Sequence, residues 1–467
     1  MLDFISGRLE HQCNLFRQQF ARTRGLPWTD VLTEERLQAS LAAEQVSFRQ
    51  GLYTPVVTLW TFLTQVFSSD HSCRAAVARL MAWMIGQGRA PCGAGTGGYC
   101  KARARLSEKW LARLVRDTGR QLHERCRVGA LQLAGRSVYV VDGTTVSMPD
   151  TPANQRGFPQ SRGQRRGLGF PLARLVALFS LASGAACELE MGRYRGKGTG
   201  EPSLLRKLLG RLPAESVLLG DRNFCSFWMF ALLLEQGVYG VFRLNASRMC
   251  DFRRGERLGP DDHLVIWRKP KRPKWMSHEM YNSLPDEISV REVRVRVNRR
   301  GFRVREMVVA TTLLDPHEVT AAELAQSYYT RWSMELDLRS LKISLQMDIL
   351  RGKSPEIVRK EIWAHLLVYN VIREVMAQAA VNRGRTPREV SFKGTLQTLD
   401  AFRDLLLSTD VTDLTGYYTR LLAAVASHRV GHRPGRFEPR AIKRRPKPHD
   451  LLLVPRDEAR KRLLHND

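Results

Sequence analysis

The spacing of apolar residues changes along the chain, and each change predicts a different kind of structure. Residues 1–130 repeat apolar positions at helical spacing, for example over 37–46 and 107–128, with Lys and Arg at many positions between them. From about residue 136, short β-branched runs alternate with helical patterns. This alternation indicates an α/β domain with a mixed, partly parallel sheet.

Two of the buried-type strands in this part end in an aspartate. The run 138–141 leads into Asp142, and the run 216–220 leads into Asp221. Between them lie a predicted hairpin over 174–194 and a helix over 201–212. A helix over 227–236 and a strand over 238–244 complete the unit.

A different pattern follows over about 246–310. Basic, Pro-containing loops lead into strict alternation over 290–297, and a second strand is predicted over 302–311. We expect an antiparallel β insertion that is exposed and positive on one face.

Helical spacing resumes at Thr320, which with Glu323 forms a capping box, and continues to residue 345. The last segment, 427–447, has eight Arg/Lys against one Glu and is predicted to be an extended basic arm. The predicted divisions are 1–130 (helical and basic), 131–245 (core, first part), 246–312 (β-rich insertion), 313–395 (core, second part) and 396–467 (helical region and basic arm).

Composition narrows the class of partner. The net charge of +28 and pI of about 10.4 favour a polyanion, either nucleic acid or an acidic membrane. The longest uncharged run, 50–69, contains Pro55 and several Thr and Gln residues, and is predicted to be a buried helix and not a membrane span. Eight cysteines without a CxxC pair indicate neither a disulfide framework nor a zinc knuckle. With no signal-peptide pattern, we expect a soluble protein of the reducing cytoplasm.

The candidate chemistry lies in three carboxylates. Asp142 and Asp221 follow strands, and catalytic groups of open α/β sheets gather at the carboxyl ends of strands. Glu335 is predicted on the helix after the insertion, and such a helix could bring a third carboxylate to that edge. Hard oxygen ligands suit Mg²⁺ or Mn²⁺, and two such ions can promote an in-line displacement at phosphorus.

A stripe of side chains accompanies Glu335. Tyr328, Arg331, Glu335 and Lys342 stand at intervals of three, four and seven, which puts them along one face of a continuous helix. Arg331 and Lys342 are predicted to neutralise phosphate, and Tyr328 to donate a hydrogen bond to it.

These motifs resemble a known family. VYVVDGT (138–144), LGDRNF (219–224) and the Y-x2-R-x3-E-x6-K series from Tyr328 to Lys342 resemble the signature regions of DDE transposases of the insertion-sequence-four family. The tail GHRPGRFEPRAIKRRPKP is also similar, and the resemblance spans roughly residues 90–450. It implies an RNase H-like core interrupted by a β-rich insertion, and a metal-dependent cut-and-paste reaction on transposon ends. Asp142, Asp221 and Glu335 would be the metal-binding triad.

Each carboxylate also has a simpler explanation. Asp142 could be a turn residue before Gly143, and Asp221 could be the N-cap of the helix starting near Ser226. Glu335 could be ordinary surface charge on an amphipathic helix. Asp337, two positions further on, is expected to point away from the face of Glu335.

Three other residues are candidates for DNA contacts. Arg222 is predicted to touch phosphate or to be an exposed surface residue. Trp267 and Trp275 stand among Lys and Arg and could stack on an unpaired base, although packing is the favoured role.

The resulting hypothesis is a DNA transposase that uses Mg²⁺ or Mn²⁺ and acts as a homodimer on paired DNA ends. Residues 1–130 and the basic arm are predicted to bind the DNA. A stand-alone nuclease with the same core, and a DNA-binding protein without catalytic activity, are the alternatives.

Overall fold

The computed structural model describes residues 32, 34–45, 51–86, 88–126, 132–245, 247–296, 306–331, 333–408, 414–431 and 451–464. The predicted basic arm falls mostly outside these residues.

The first part of the described chain is helical, as predicted. Polar caps start two of its helices: the Thr54 hydroxyl accepts from the Val57 amide, and the Ser107 hydroxyl accepts from the Trp110 amide. The uncharged run is a buried helix, and none of the helices in the described ranges is long and apolar enough to cross a bilayer. The helices are α1 (Glu34–Ala43), α2 (Pro55–Phe67), α3 (Cys73–Gly86), α4 (Gly97–Arg105) and α5 (Glu108–Arg125).

The described strands form one nine-stranded mixed sheet in the order β3-β2-β1-β4-β5-β9-β8-β7-β6. β1 pairs antiparallel with β2 and parallel with β4, and β4 pairs parallel with β5. The predicted hairpin is the antiparallel pair β2 and β3. The strands are β1 (Val138–Ser147), β2 (Leu172–Ser180), β3 (Ala186–Arg193), β4 (Val217–Gly220), β5 (Tyr239–Arg243), β6 (Glu256–Gly259), β7 (Asp262–Arg268), β8 (Glu287–Arg296) and β9 (Glu306–Thr311).

Alternating side chains of the sheet enter two separate cores. On β1, Val138 and Val140 join a core that includes the N-terminal helices, whereas Tyr139 and Val141 join a core on the opposite face. Helices cover both faces, which explains the continuous apolar runs of β1 and β4. The short helices between strands are α6 (Pro152–Gly157), α7 (Glu201–Arg206), α8 (Phe227–Glu235) and α9 (His278–Ser283).

The β insertion was predicted to have an exposed, positive face, and this expectation needs correction. β9, β8, β7 and β6 extend the same sheet beyond β5, so β8 is an interior strand. Arg291 on β8 is fully buried and forms a bidentate pair with Asp262. Arg294 and Arg296 both pair with Asp261. Each described arginine of β8 therefore has an acidic partner, and Arg291 is neutralised in the interior.

The predicted helix over 320–345 is divided. The capping box of Thr320 and Glu323 starts α10 (Ala321–Thr330), and α11 (Ser333–Arg339) is followed by a π-helical turn, Ser340–Ser344. Tyr328, Arg331, Glu335 and Lys342 therefore do not lie on one uninterrupted α-helix.

After this turn, the chain pairs with the end of β1, where the Ser147 amide donates to the Asp348 carbonyl and Ser147 accepts from the Leu350 amide. The central helix α12 (Pro355–Val381) is buried on nearly all sides and packs against α2, α5 and β3. The remaining helices are α13 (Phe392–Ser408), α14 (Leu414–Ser427) and α15 (Arg456–Leu464).

Candidate active site

Asp142 and Asp221 lie side by side at one edge of the parallel strands. Asp142 is two residues beyond Val140, which pairs with Leu219, and Asp221 is two residues beyond Leu219. Val140 and Leu219 belong to the same core, so both carboxylates continue the same face of the sheet. Neighbouring strands are about 4.8 Å apart, so this register brings the two aspartates close together.

The electrostatics of Asp142 are consistent with this arrangement. The pKa of Asp142 is raised to about 6, mainly by burial and in smaller part by the negative charges of Asp221 and Glu201. The hydrogen bond from the Gly143 amide and the positive charge of Arg331 act in the opposite direction. A half-buried carboxylate beside two others is electrostatically unfavourable without a cation, which is the usual condition of a metal ligand.

Two members of the predicted stripe reach this edge from the end of α10. Arg331 lies close enough to Asp142 to oppose the rise in its pKa, and its guanidinium stands over the Tyr328 ring at 5.4 Å. Within the described residues, the buried Nε of Arg331 has no hydrogen-bond partner. Burial raises the pKa of Tyr328, and the charge of Asp221 adds to this effect. Tyr328 is therefore a neutral phenol close to both Asp221 and Arg331.

Glu335 enters the region on α11, which packs against β1. Leu338 and Leu341 line a small cavity together with Asp142. Glu335 is one turn before Leu338 and so lies on the same side of α11, with its side chain exposed. The helix that carries Glu335 is therefore held directly over the strand that carries Asp142.

The three carboxylates are not a tight cluster. Within the ranges that the structure describes, the ligand atoms of Asp142, Asp221 and Glu335 do not all lie within 4.8 Å of one another. Where three carboxylates share two ions that are about 3.5–4 Å apart, the ligand atoms can be further from one another than they are around a single ion. The aspartate pair, with Glu335 on the helix above, has the donor set that hard divalent cations require.

Asp337 has a structural role that the sequence analysis did not identify. It is fully buried on α11, where it accepts hydrogen bonds from Arg373, from Arg388 at 2.5 Å and from the Tyr369 hydroxyl at 3.0 Å. Arg373 and Tyr369 belong to α12. This network fixes the helix of Glu335 to the central helix, and it confirms that Asp337 points away from the face of Glu335.

Glu201 is a further acidic residue at this edge. Its carboxylate occupies the space over Gly143, where an added Cβ would lie 2.3 Å from the Glu201 Cδ. Its Oε2 accepts a hydrogen bond of 2.8 Å from Asn223 in the loop after Asp221. Helix α7 starts at Glu201, in the connection between β3 and β4. The sequence of this segment shows a helix pattern and nothing that indicates a contact of Glu201 with Gly143 or Asn223.

The simpler explanations of the aspartates do not hold. Asp142 is inside β1 and not in a turn. The N-cap of α8 is Ser226, whose hydroxyl accepts from the Met229 amide, while Asp221 accepts from the Asn223 amide. The exposure of Glu335 is compatible with surface charge as well as with a catalytic role.

The other predicted DNA contacts differ in accessibility. Arg222 is exposed and Lys342 is half-buried in the π-helical turn. Trp267 is 2% exposed, its indole donates to Glu292, and Arg248 covers its ring, so packing is its role. Trp275 is 42% exposed and stacks against Arg206. Base stacking by Trp275 stays a prediction.

Comparison with known proteins identifies the family. Residues 133–371, just over half of the chain, match the family model described as a transposase DDE domain. The chain is 25% identical over 297 residues to the transposase InsG of insertion sequence element IS4 from Escherichia coli (strain K12), a match that covers 62% of this chain and 64% of InsG. The match thus spans less than two thirds of that relative.

Two other similarities are more limited. The transposase of insertion sequence element IS421 from Escherichia coli is 36% identical over 87 residues, which are 17% of this chain and 24% of that protein. The piggyBac transposase, in a synaptic complex with hairpin DNA, aligns over 87% of this chain and 85% of its own at a TM-score of 0.41 and 9% identity. A TM-score below 0.5 is too low to establish a common fold. From the family match and the similarity to InsG, the chain belongs to the DDE transposases of the insertion-sequence-four family.

Proposed function

We propose that this protein is the DNA transposase of an insertion sequence, and that it cuts DNA at the element ends and joins the freed 3′-hydroxyls to target DNA. The observation that carries this proposal is the position of Asp142 and Asp221, each two residues beyond the paired Val140 and Leu219 of the parallel strands β1 and β4, on the side where the helix of Glu335 packs against β1. Two carboxylates that repel each other at a sheet edge are suited to holding divalent cations.

The catalytic core is proposed to be RNase H-like. Strands β3-β2-β1-β4-β5, with three antiparallel and then two parallel strands, support this assignment. Strands β6 to β9 would be the insertion between Asp221 and Glu335. The boundaries at 130, 245, 312 and 395 remain part of the proposal.

Asp142, Asp221 and Glu335 are the residues proposed to hold Mg²⁺ or Mn²⁺. A bound ion would supply the Lewis acidity that activates a water or 3′-hydroxyl and stabilises the departing oxygen. Arg331 is proposed to bind the scissile phosphate, because its buried Nε has no hydrogen-bond partner within the described chain and its positive charge acts on Asp142. Tyr328 would orient Arg331, and Lys342 and Arg222 would contact phosphates further along the DNA.

The partner is proposed to be DNA, bound by a homodimer that pairs two element ends in the cytoplasm. The net charge of +28 supports a polyanionic partner. Trp275, exposed beside Arg206, is the remaining candidate for stacking on an unpaired base.

The function is tested with a duplex that carries the inverted repeat flanking the gene. Purified protein, Mg²⁺ and a target plasmid are expected to give both a cut at the repeat and a joined product. Cutting without joining would identify a nuclease, and binding without any Mg²⁺-dependent product would identify a DNA-binding protein without catalytic activity.

A pH dependence follows from the raised pKa of Asp142. Because the cation must displace the proton from a carboxyl with a pKa of about 6, acidification weakens metal binding. The Mg²⁺ concentration that gives half the maximal cleavage rate is expected to be about tenfold higher at pH 5 than at pH 7. Initial rates over a Mg²⁺ titration at each pH measure it, and an equal Mg²⁺ requirement at both pH values would contradict the assignment of Asp142.

Glu201→Gln is expected to weaken metal binding without abolishing cleavage. The change removes a negative charge beside Asp142 but keeps a side chain that can still accept from Asn223. If the attraction between this edge of the protein and the bound Mg²⁺ falls by about 1 kcal/mol, the Mg²⁺ concentration that gives half the maximal cleavage rate rises roughly fivefold. Mg²⁺ titrations of the cleavage rate measure this, with Glu190→Gln on β3 as a control that should leave the requirement unchanged.

A further inference from the structure

A second group of potential metal ligands lies in the β-rich part of the chain, outside the candidate active site. Cys250 precedes β6, His263 is on β7 and Glu292 is on β8. Their ligand atoms all lie within 4.8 Å of one another, and within the described residues this is the one such group of three. His263 and Glu292 are buried, and Cys250 is half-buried.

The distances match the edges of a tetrahedral zinc site. Sγ of Cys250 lies 3.6 Å from Nε2 of His263, and that nitrogen lies 3.3 Å from Oε2 of Glu292. Zinc bonds of 2.3 Å to sulfur and 2.0–2.2 Å to nitrogen and oxygen give tetrahedral edges of about 3.5 Å for S–N and about 3.3 Å for N–O. A zinc ion could therefore bind between these three side chains with little change in the Sγ–Nε2 and Nε2–Oε2 distances.

Neighbouring groups orient two of the ligands. His263 Nδ1 lies 2.7 Å from the Arg254 carbonyl, which accepts only from a protonated nitrogen and thereby leaves the lone pair of the neutral ring on Nε2. That lone pair faces Glu292 Oε2, an arrangement that requires a proton or a cation between them. Oε1 of Glu292 accepts a hydrogen bond of 3.0 Å from the Trp267 indole. Contacts of this kind from neighbouring residues are typical of metal-binding histidines and carboxylates.

Charge and ligand type indicate which cation fits. A thiolate, a carboxylate and a neutral imidazole carry two negative charges, which a divalent ion neutralises in a buried position. Two arginines lie near this group: Nε of Arg248 is 4.0 Å from Glu292 Oε1, and Arg294, whose charge reaches Cys250, is itself paired with Asp261 and Glu306. Thiolate and imidazole ligands favour Zn²⁺ over Mg²⁺.

We propose that Cys250, His263 and Glu292 bind one zinc ion, with a water molecule as the fourth ligand. The ion joins the loop before β6 to β7 and β8, and its role is to stabilise this end of the sheet. The site is separate from the carboxylates at β1 and β4 and does not depend on the proposed transposition chemistry.

The test is the metal content of the full-length protein. Protein purified without chelator from zinc-supplemented cells is expected to contain about one zinc ion per chain, as measured by elemental mass spectrometry. After zinc is replaced by Co²⁺, a thiolate-to-cobalt charge-transfer band is expected. Wild-type protein that neither retains zinc nor takes it up from an equimolar solution overturns the proposal.

Variants separate the three ligands from other thiols and from the active site. Cys250→Ser and His263→Gln are expected to lose zinc, and Cys250→Ser changes only one atom, so its fold can be checked by circular dichroism. Cys187→Ser on β3 alters a thiol far from the cluster and is expected to retain zinc. Asp142→Asn is expected to retain zinc while losing Mg²⁺-dependent cleavage. Equal zinc in Cys250→Ser and Cys187→Ser would refute the assignment.

Discussion

Asp142→Asn, Asp221→Asn and Glu335→Gln are each expected to lower Mg²⁺-dependent strand cleavage by about 10³-fold or more, the equivalent of about 4 kcal/mol of transition-state stabilisation. The physical reason is that each neutral amide removes one anionic ligand while preserving the shape of the side chain. Gel assays of end cleavage measure the loss, and filter binding of the same DNA is expected to change little.

Two controls show whether such a loss is chemical. Asp150→Asn alters an exposed loop aspartate close to the end of β1 and is expected to cleave normally. Asp142→Asn is expected to be more stable than the wild type, because the folded state raises the pKa of Asp142 from 3.8 to about 6. This shift corresponds to at most about 3 kcal/mol at neutral pH. Normal cleavage by any of the three triad variants would contradict the assignment of that residue.

Asp337→Ala is expected to destabilise the folded protein by about 3–5 kcal/mol, because it leaves buried charges without their partner. Arg373 and Arg388 both pair with Asp337, and their side chains are 5% and 13% exposed. Denaturant unfolding monitored by circular dichroism measures the change. Cleavage should also fall at temperatures where the variant is folded, because Asp337 ties the helix of Glu335 to α12.

The matched control for this prediction is Glu287→Ala. Glu287 pairs with Arg268 on the surface, where both side chains are more than half exposed. Removal of this pair is expected to change stability by less than about 1 kcal/mol. Equal effects of Asp337→Ala and Glu287→Ala would show that the buried network does not hold α11.

Local patterns predicted the elements that depend on local sequence. The apolar runs before Asp142 and Asp221 indicated buried strands, and the structure pairs those strands in parallel. The hairpin, the capping box at Thr320 and the helical N-terminal part were also predicted, since each depends on residues close together in the chain.

Features that depend on distant residues could not be predicted in this way. The alternation of apolar and polar residues predicted strand β8. It did not predict that Arg291 is buried, because the partner of Arg291, Asp262, lies on another strand. The helix predicted over 320–345 is divided, and its second part, α11, is tied through Asp337 to Arg373 and Arg388, which are far along the chain. Glu201 is brought to the active-site edge only by the packing of α7.

The most direct test of the central claim is to locate the divalent ion. Crystals of the protein soaked in MnCl₂ would be measured for anomalous scattering from manganese. We predict a peak bonded to carboxylate oxygens of both Asp142 and Asp221, at about 2.1–2.2 Å, on the side that faces Glu335. Manganese bound only at other places, with neither aspartate as a ligand, would contradict the proposed catalytic site.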